Sequence, residues 1–397
     1  MITGLFAFDG PMYCDLNGIY CNTTITNEML NRYFSVVDKL YILIRTTHIQ
    51  ETYVEARLQK LNLNNIEIVE VDNILSPINF ITRRKYISQF ETIVNKCDLI
   101  FLRIPSLICN MIANICIKNN IPYLVEVGGC AWDSYWHHGI AGKVCALGMY
   151  MGEKKTVKYS SYASYVTEKW LQNRYPTNSP QISASNVYID SFEDIIVENR
   201  IKRMMAPLFK PIRIGTIASV DVRYKGQEYI IKAIGLLKKK GYRFEYDLVG
   251  AGNGDFLKKL AREYDVSDQV HFLGLKVHSE IWEWLDSIDI YAQPSKQEGL
   301  PRAVIEAMSR GCICIGSTTA GIPELLPSNC LFKNGAVDQI CRILINLYSE
   351  SNYELLIQSN YDKSKEYNIH RLESLRNELF KKYKNDYLSK RQCDGIL

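Results

Sequence analysis

Two glutamates, Glu298 and Glu306, stand eight positions apart in the stretch PSKQEGLPRAVIEAMSRG, residues 294–311. A Gly-Leu-Pro turn follows the first, and Ile305, Ala307 and Met308 flank the second. The pattern predicts a strand, DIYAQPS, a loop, KQEGLP, and a helix whose first residue is Pro301, where the missing N–H would be unpaired anyway. The N–H groups of Gly299, Leu300, Arg302 and Ala303 then cluster at a helix N-terminus. Such a mouth carries roughly half a positive charge and favours an anion, phosphate above all. Gly299 lets a ligand approach the backbone closely. Glu298, placed before the helix, reaches toward hydroxyls beside that phosphate. Glu306 lies roughly 7–8 Å further along the axis, where it can accept hydrogen bonds from a vicinal diol such as a ribose. The constellation reads sugar hydroxyl, diphosphate, ribose, which is the layout of a nucleotide sugar. The bland alternative, a loop charge and a solvated helix face, suits Glu306 poorly among apolar neighbours.

The elements that must position these residues follow from the hydrophobic pattern. Short apolar runs, LYILIRT, IEIVEV, LIFLRI and YLVEVGG, alternate with helical segments such as NEMLNRYFSVV and ITRRKYISQFETIVNK. Continuous apolar strands between helices argue a parallel sheet covered on both faces. Near residue 200 the texture turns basic and aperiodic, NRIKRMMAPLFKPIRIG, which reads as a linker. The alternation restarts with IRIGTIAS and continues through FEYDLVG, VHFLG, DIYAQPS and CICIG. This gives a first domain over 1–200, a linker over 201–212, a second domain over 213–365, and a helical tail over 366–397 that packs back on the first domain. Two α/β domains in series leave a cleft, and ligands of open parallel sheets bind at the carboxyl ends of the strands.

Composition narrows the classes. At 397 residues and 47% hydrophobic content, the chain has room for two cores. A formal charge of +4 does not indicate a nucleic-acid binder. Twelve cysteines form no C-x-x-C pair, and Cys312 and Cys314 share one face of an apolar strand, so cysteine acts as a small hydrophobe in a reduced, cytoplasmic chain. The N-terminus lacks the features of a signal peptide, and LIFLRIPSLICNMIANICI reads as strand, turn and helix rather than a membrane span. No D-x-D or H-E-x-x-H occurs, so no metal ligand set is expected. LVGAGNG follows a strand but gives G-x-G-x-G without the acidic residue of a dinucleotide site.

The blocks YKGQEYIIKA, LVGAGNG, VHFLG, PSKQEGLPRAVIEAM and GIPELL, over roughly 213–326, resemble the donor-binding signature of the retaining glycosyltransferases of family four, glycosyl transferases group 1. The resemblance implies a GT-B fold: α/β, with two doubly wound parallel-sheet, Rossmann-like domains facing a cleft. It implies that Glu298 contacts the donor sugar, Glu306 the ribose, and the Gly299 and Leu300 N–H groups the diphosphate. The family grips the diphosphate with a lysine, here Lys225, and an arginine five residues before it. Position 220 is Val, so Arg223 is the nearest substitute. Cations held there lower the barrier as the leaving diphosphate gains charge. Lys225 and Glu298 are thus the catalytic candidates. Gly10, in FDGP, matches the glycine of a flexible loop after the first strand. The family's histidine after a later strand is replaced by Gly128 and Gly129, and its role is not carried over to His137 or His138. Arg103, Trp132 and Asp133 are acceptor-side candidates.

The reading that results is a metal-independent, cofactor-free hexosyltransferase of retaining type. Its partners would be a nucleoside-diphosphate sugar and a glycan or lipid-linked saccharide, in surface polysaccharide or glycoconjugate synthesis. The basic stretches TRRKY, RIKR and KKYK suggest peripheral contact with the inner membrane face. Two other classes stay open: a sugar-nucleotide epimerase on the same fold, which needs a protein acid–base set, and an inactive binding or scaffold subunit.

Overall fold

Strands buried on both faces need apolar residues at successive positions, and the apolar runs here fold as such strands with helices between them. The computed structural model describes residues 1–50, 58–74, 76, 84–136, 139–205, 211–349 and 353–393. The chain divides into two units, one of Met1–Ala184 with Leu372–Leu397, the other of Ser185–Arg371.

The first unit contains β1 (Thr3–Cys14), β2 (Tyr20–Asn22), β3 (Lys39–His48), β4 (Gln59–Lys60), β5 (Ile66–Val71), β6 (Leu99–Ile104), β7 (Leu124–Val127), β8 (Tyr162–Tyr165) and β9 (Gln181–Ser183). Seven of these run parallel in the order β5–β3–β1–β6–β7–β8–β9. The short β2 pairs antiparallel with Tyr13 and Cys14 at the end of β1, and β4 pairs antiparallel with β2. Neighbouring side chains alternate between two buried faces: Leu5, Ala7, Ile100 and Leu102 on one, Phe6, Leu99 and Phe101 on the other. The second of these faces is completed by the helix Ile369–Cys393. Its Phe380 stacks on Tyr33 at 5.6 Å. Its Tyr383 hydroxyl accepts the Ile100 N–H at 3.0 Å and donates to the Pro122 carbonyl at 2.9 Å.

The second unit is a six-stranded parallel sheet of β10 (Ile212–Ile217), β11 (Phe244–Val249), β12 (Val270–Gly274), β13 (Ile290–Gln293), β14 (Ile313–Ser317) and β15 (Leu331–Phe332). The order is β12–β11–β10–β13–β14–β15. The winding reverses between β10 and β13, which makes the carboxyl ends of these two strands the topological switch point, where ligands of open parallel sheets bind.

The boundary differs from the one expected. Ser185 already belongs to the second unit, and residues 201–205 of the expected linker close a helix, Asp194–Met205. Arg200, at 3% exposure, donates to the carbonyls of Leu285 at 2.7 Å, Arg310 at 2.8 Å and Ile288. These acceptors lie at the ends of the helices His278–Ser287 and Arg302–Ser309, where carbonyls lack intrahelical partners. Arg203 donates to the Asp286 and Ile288 carbonyls. Two basic residues that look like linker charge or a membrane-facing patch are therefore braces inside the second unit. Residues 206–210 of the expected linker, Thr82 and Arg83 of the TRRKY stretch, and His137 and His138 lie outside the described residues. Cys312 and Cys314 are fully buried, and burial pushes both thiols up. Among the described residues no helix is long and apolar enough to cross a membrane.

Candidate active site

The site is built where β10 and β13 part. The loop after β10 carries Asp221 and a single turn, Arg223–Lys225, that ends at Gly226. The loop after β13 carries Glu298 and leads into the helix Arg302–Ser309. Pro301 precedes that helix with an extended backbone (φ −72°, ψ 112°), so helical hydrogen bonding begins one residue later than expected. The buried face of the helix, Val304, Ile305, Ala307 and Met308, seats it on the sheet. Among the described residues the N–H groups of Gly299, Leu300, Arg302 and Ala303 have no backbone acceptor. The Gly299 carbonyl accepts the Gly321 N–H at 2.9 Å, which ties the GLP turn to the GIPELL segment.

Lys225 and Glu298, 73 residues apart, meet in an ion pair. Lys225 Nζ lies 2.8 Å from Glu298 Oε1, with the two side chains 24% and 11% exposed. The same oxygen accepts from Gln293 Nε2 at 2.8 Å. Gln293 also donates to Ser295 Oγ at 2.9 Å and accepts from the Tyr291 hydroxyl at 3.0 Å. Tyr291 is completely buried, and burial pushes its hydroxyl well above the ordinary phenol range. The negative charges of Glu306 and Glu298 push it the same way, so both glutamates flank one tyrosine. The helix holds Glu306 half-buried. The pattern thus brings Lys225, Glu298, Gly299, Leu300 and Glu306 to one strand edge. It did not single out Tyr291 and Gln293. The signal was available: a glutamine two positions after a tyrosine in an otherwise apolar strand puts two polar groups on one buried face.

Other candidates sit differently. Arg223 is exposed and lays its guanidinium over the Phe256 ring. Val220, at the position where an arginine was sought, is buried with its N–H bonded to the Ala251 carbonyl. In the glycine-rich loop, the Asp221 carboxylate accepts the N–H groups of Asn253 at 3.1 Å and Gly254 at 2.8 Å. A carboxylate of the protein itself thus fills the cradle that a dinucleotide phosphate would need.

In the first unit, Gly10 does not lie on a loop after the first strand. β1 runs through it, with a register shift between Phe8 and Met12. Gly10 has φ +66°, and a Cβ there would lie 2.6 Å from the Arg45 carbonyl oxygen. Its neighbour Asp9 accepts the N–H groups of Leu107 at 2.8 Å and Ile108 at 3.2 Å, capping the helix Leu107–Lys118. Arg103 lies in an internal network. Its side chain is 12% exposed and donates through Nε (2.9 Å) and Nη2 (2.7 Å) to Glu126 Oε2, while the Tyr33 hydroxyl donates to Oε1 at 2.9 Å. Burial alone would raise the Glu126 carboxyl, but Arg103 and Arg32 overcome it and hold it below its ordinary range. Arg103 is thus engaged in a buried internal pair. Trp132 stacks on Trp136 with ring centroids 5.0 Å apart, and Asp133 lies 3.9 Å from Arg174 Nη2.

Among the described residues one group of metal-ligand type gathers, Cys14, His48 and Glu70, with its donor atoms within 4.8 Å of one another. Its members already bond to protein: His48 Nε2 lies 3.0 Å from Glu70 Oε2, and Tyr20 donates to Glu70 Oε1 at 2.8 Å. They come from three strands of the first unit, which is why sequence spacing did not reveal them.

Two parallel α/β units, one with a cation–carboxylate pair and a helix N-terminus at its switch point, define the GT-B class. The chain belongs to the glycosyl transferases group 1 family, whose model matches residues 213–363. It is similar to Protein CapJ of Staphylococcus aureus, 32% identical over 398 residues, covering 97% of this chain and 98% of that protein. It is also similar to the amylovoran biosynthesis glycosyltransferase AmsK of Erwinia amylovora, 35% identical over 150 residues, 35% of this chain and 37% of that one. In fold it is similar to HepE of Anabaena, solved in complex with UDP. The TM-score is 0.66 at 14% identity, over 95% of this chain and 99% of that one.

Proposed function

We propose that this chain is a retaining, family-four glycosyltransferase. It moves a sugar from a nucleoside-diphosphate sugar to a hydroxyl of a glycan or lipid-linked saccharide during polysaccharide assembly. The observation that carries the reading is the Lys225–Glu298 pair at the switch point, beside the amide groups at 299–303. The crystallised complex of HepE with UDP and the place of AmsK in amylovoran biosynthesis support it.

In this reading the pyrophosphate enters the mouth formed by the Gly299, Leu300, Arg302 and Ala303 N–H groups, and Lys225 swings its ammonium onto a phosphate oxygen. Glu298, relieved of that partner but still held by Gln293, accepts hydroxyls of the sugar. Glu306 accepts the ribose diol. As the glycosidic C–O bond breaks, the ammonium and the helix terminus meet the charge that builds on the leaving diphosphate. The acceptor hydroxyl attacks on the face the diphosphate vacates, and the departing phosphate oxygen takes its proton. No divalent ion and no protein base is invoked in this sequence of events.

A thermal-shift screen of UDP, GDP and ADP tests the reading, since a ligand bound only by the folded state raises the melting temperature. Glu298→Gln should lower kcat/KM for transfer from the donor so identified by about 10²–10³. An unchanged melting temperature with all three nucleotides refutes the proposal. Epimer or free-sugar formation with no acceptor requirement selects the epimerase instead.

A further inference from the structure

The helix Gly139–Lys158 turns a stripe of apolar side chains outward. Ile140, Val144, Leu147 and Met151 are 86%, 77%, 59% and 55% exposed. They recur at i, i+4, i+7 and i+11, so they fall within an arc of about 60° around the helix. Four exposed lysines, Lys143, Lys154, Lys155 and Lys158, project from the same side within an arc of about 120°. Glu153 is the only acid of this helix, and it points the other way, fully buried with Ala146, Thr156 and Val157. Among the described residues none of the four lysines pairs with a carboxylate. Lys155 donates to the Asn114 amide oxygen, and Lys143, Lys154 and Lys158 lie over the rings of Trp136, Tyr150 and Tyr159. Trp136 and Tyr159, at 39% and 53% exposure, bound the stripe at its two ends.

An exposed apolar row of this length marks a contact surface. Its charge selects the occupant. A second copy of this chain would set the lysines against their own counterparts or against the apolar turns, and neither neutralises them. A surface of lipid phosphates over acyl chains meets both halves of the stripe: apolar side chains enter the boundary, lysines meet the phosphates, and ring-bearing residues sit at the interface. We propose that this helix docks the first unit flat on an anionic lipid surface. The assignment stands apart from the donor chemistry, which belongs to the second unit.

Co-sedimentation of the full-length protein with vesicles tests it, using phosphatidylcholine alone and phosphatidylcholine mixed with phosphatidylglycerol. Binding to the mixed vesicles should exceed binding to the neutral ones by at least about tenfold. Lys154→Gln with Lys155→Gln should weaken it by roughly fivefold for each lysine. Ile140→Ser with Leu147→Ser should remove the fraction that resists high salt. All four positions are exposed, so the melting temperature should hold in these variants. A control at two exposed lysines of the second unit, Lys258→Gln with Lys259→Gln, should bind as wild type. The proposal is overturned if the two vesicle types bind equally, if the stripe variants bind as wild type, or if the control loses as much as they do. A serine pair that instead turns a dimer into a monomer without lipid binding assigns the stripe to a second copy.

Discussion

A Cβ placed on Gly226 would lie 2.0 Å from the carbonyl oxygen of Pro294. The turn after β10 and the loop after β13 touch through that glycine, in a left-handed conformation (φ +74°). The Lys296 N–H reinforces the contact by donating to the Tyr224 carbonyl at 2.7 Å. Backbone holds both sides, so the close approach sets how near Lys225 can come to Glu298. Gly226→Ala should cost roughly 2–4 kcal/mol through strain and overpacking. A denaturation curve matching wild type would contradict this account of the contact.

Lys225 and Glu298 should act as one device on the reaction. Lys225→Met should lower kcat/KM by about 10²–10³. Glu298→Gln should do comparable damage. The double variant should be far less impaired than the product of the two losses, because each single change already disables the pair. Steady-state kinetics with the donor whose nucleotide raises the melting temperature measures this. Full additivity would mean that the two residues work separately.

Glu153 makes stability depend on pH. Burial pushes its carboxyl up to about 8 from an ordinary value of 4.5, against the opposing bonds from Tyr175 and the Ala131 and Ser106 backbone, with nearby Asp9 adding to the rise. The folded chain keeps this proton over a range where the unfolded chain has released it. The stability contribution is therefore complete below about pH 4.5, falls as pH rises, and is gone above about pH 8, at up to about 1.4 kcal/mol per pH unit. Asp9, also raised chiefly by burial, adds the same sign. Glu153→Gln should melt higher than wild type near pH 8 and flatten the profile below it. Parallel pH profiles for the two proteins would show that Glu153 titrates normally.

Arg103→Ala should destabilise the protein by about 3–5 kcal/mol, because it leaves the Glu126 carboxylate buried without its partner. Arg103→Ala with Glu126→Leu should recover much of that loss. An acceptor-binding arginine would behave otherwise, raising the acceptor KM while leaving the denaturation midpoint in place.

Much of the second unit was legible because its chemistry is local. Glu298, Gly299 and Glu306 come from one strand–loop–helix segment, so spacing alone places them. Lys225 required the topology, since a doubly wound order brings the loop after β10 beside the loop after β13. The first unit was harder to read. Arg103 looks like a polar residue at a strand end, and only the partners on β7 and at Tyr33 and Arg32 reveal a buried pair. Arg200 and Arg203 gave a basic, aperiodic texture that imitates a linker. Their acceptors lie 83 or more residues onward, beyond the reach of any local pattern. Gly10 shows the converse: FDGP carries every sign of a turn, yet β1 continues through it with a bulge because β3 pairs on both sides.

The helix that supplies Phe380 and Tyr383 to the first sheet imposes an order on synthesis. A ribosome finishes Met1–Ala184 long before it makes the segment that seals one face of that sheet, so those residues must wait with Phe6, Tyr33 and Phe101 uncovered. The intervening Ser185–Arg371 is contiguous and can mature on its own in the meantime. The first half to emerge is therefore the last to close, and it is the half most in need of a chaperone while the nascent chain lengthens.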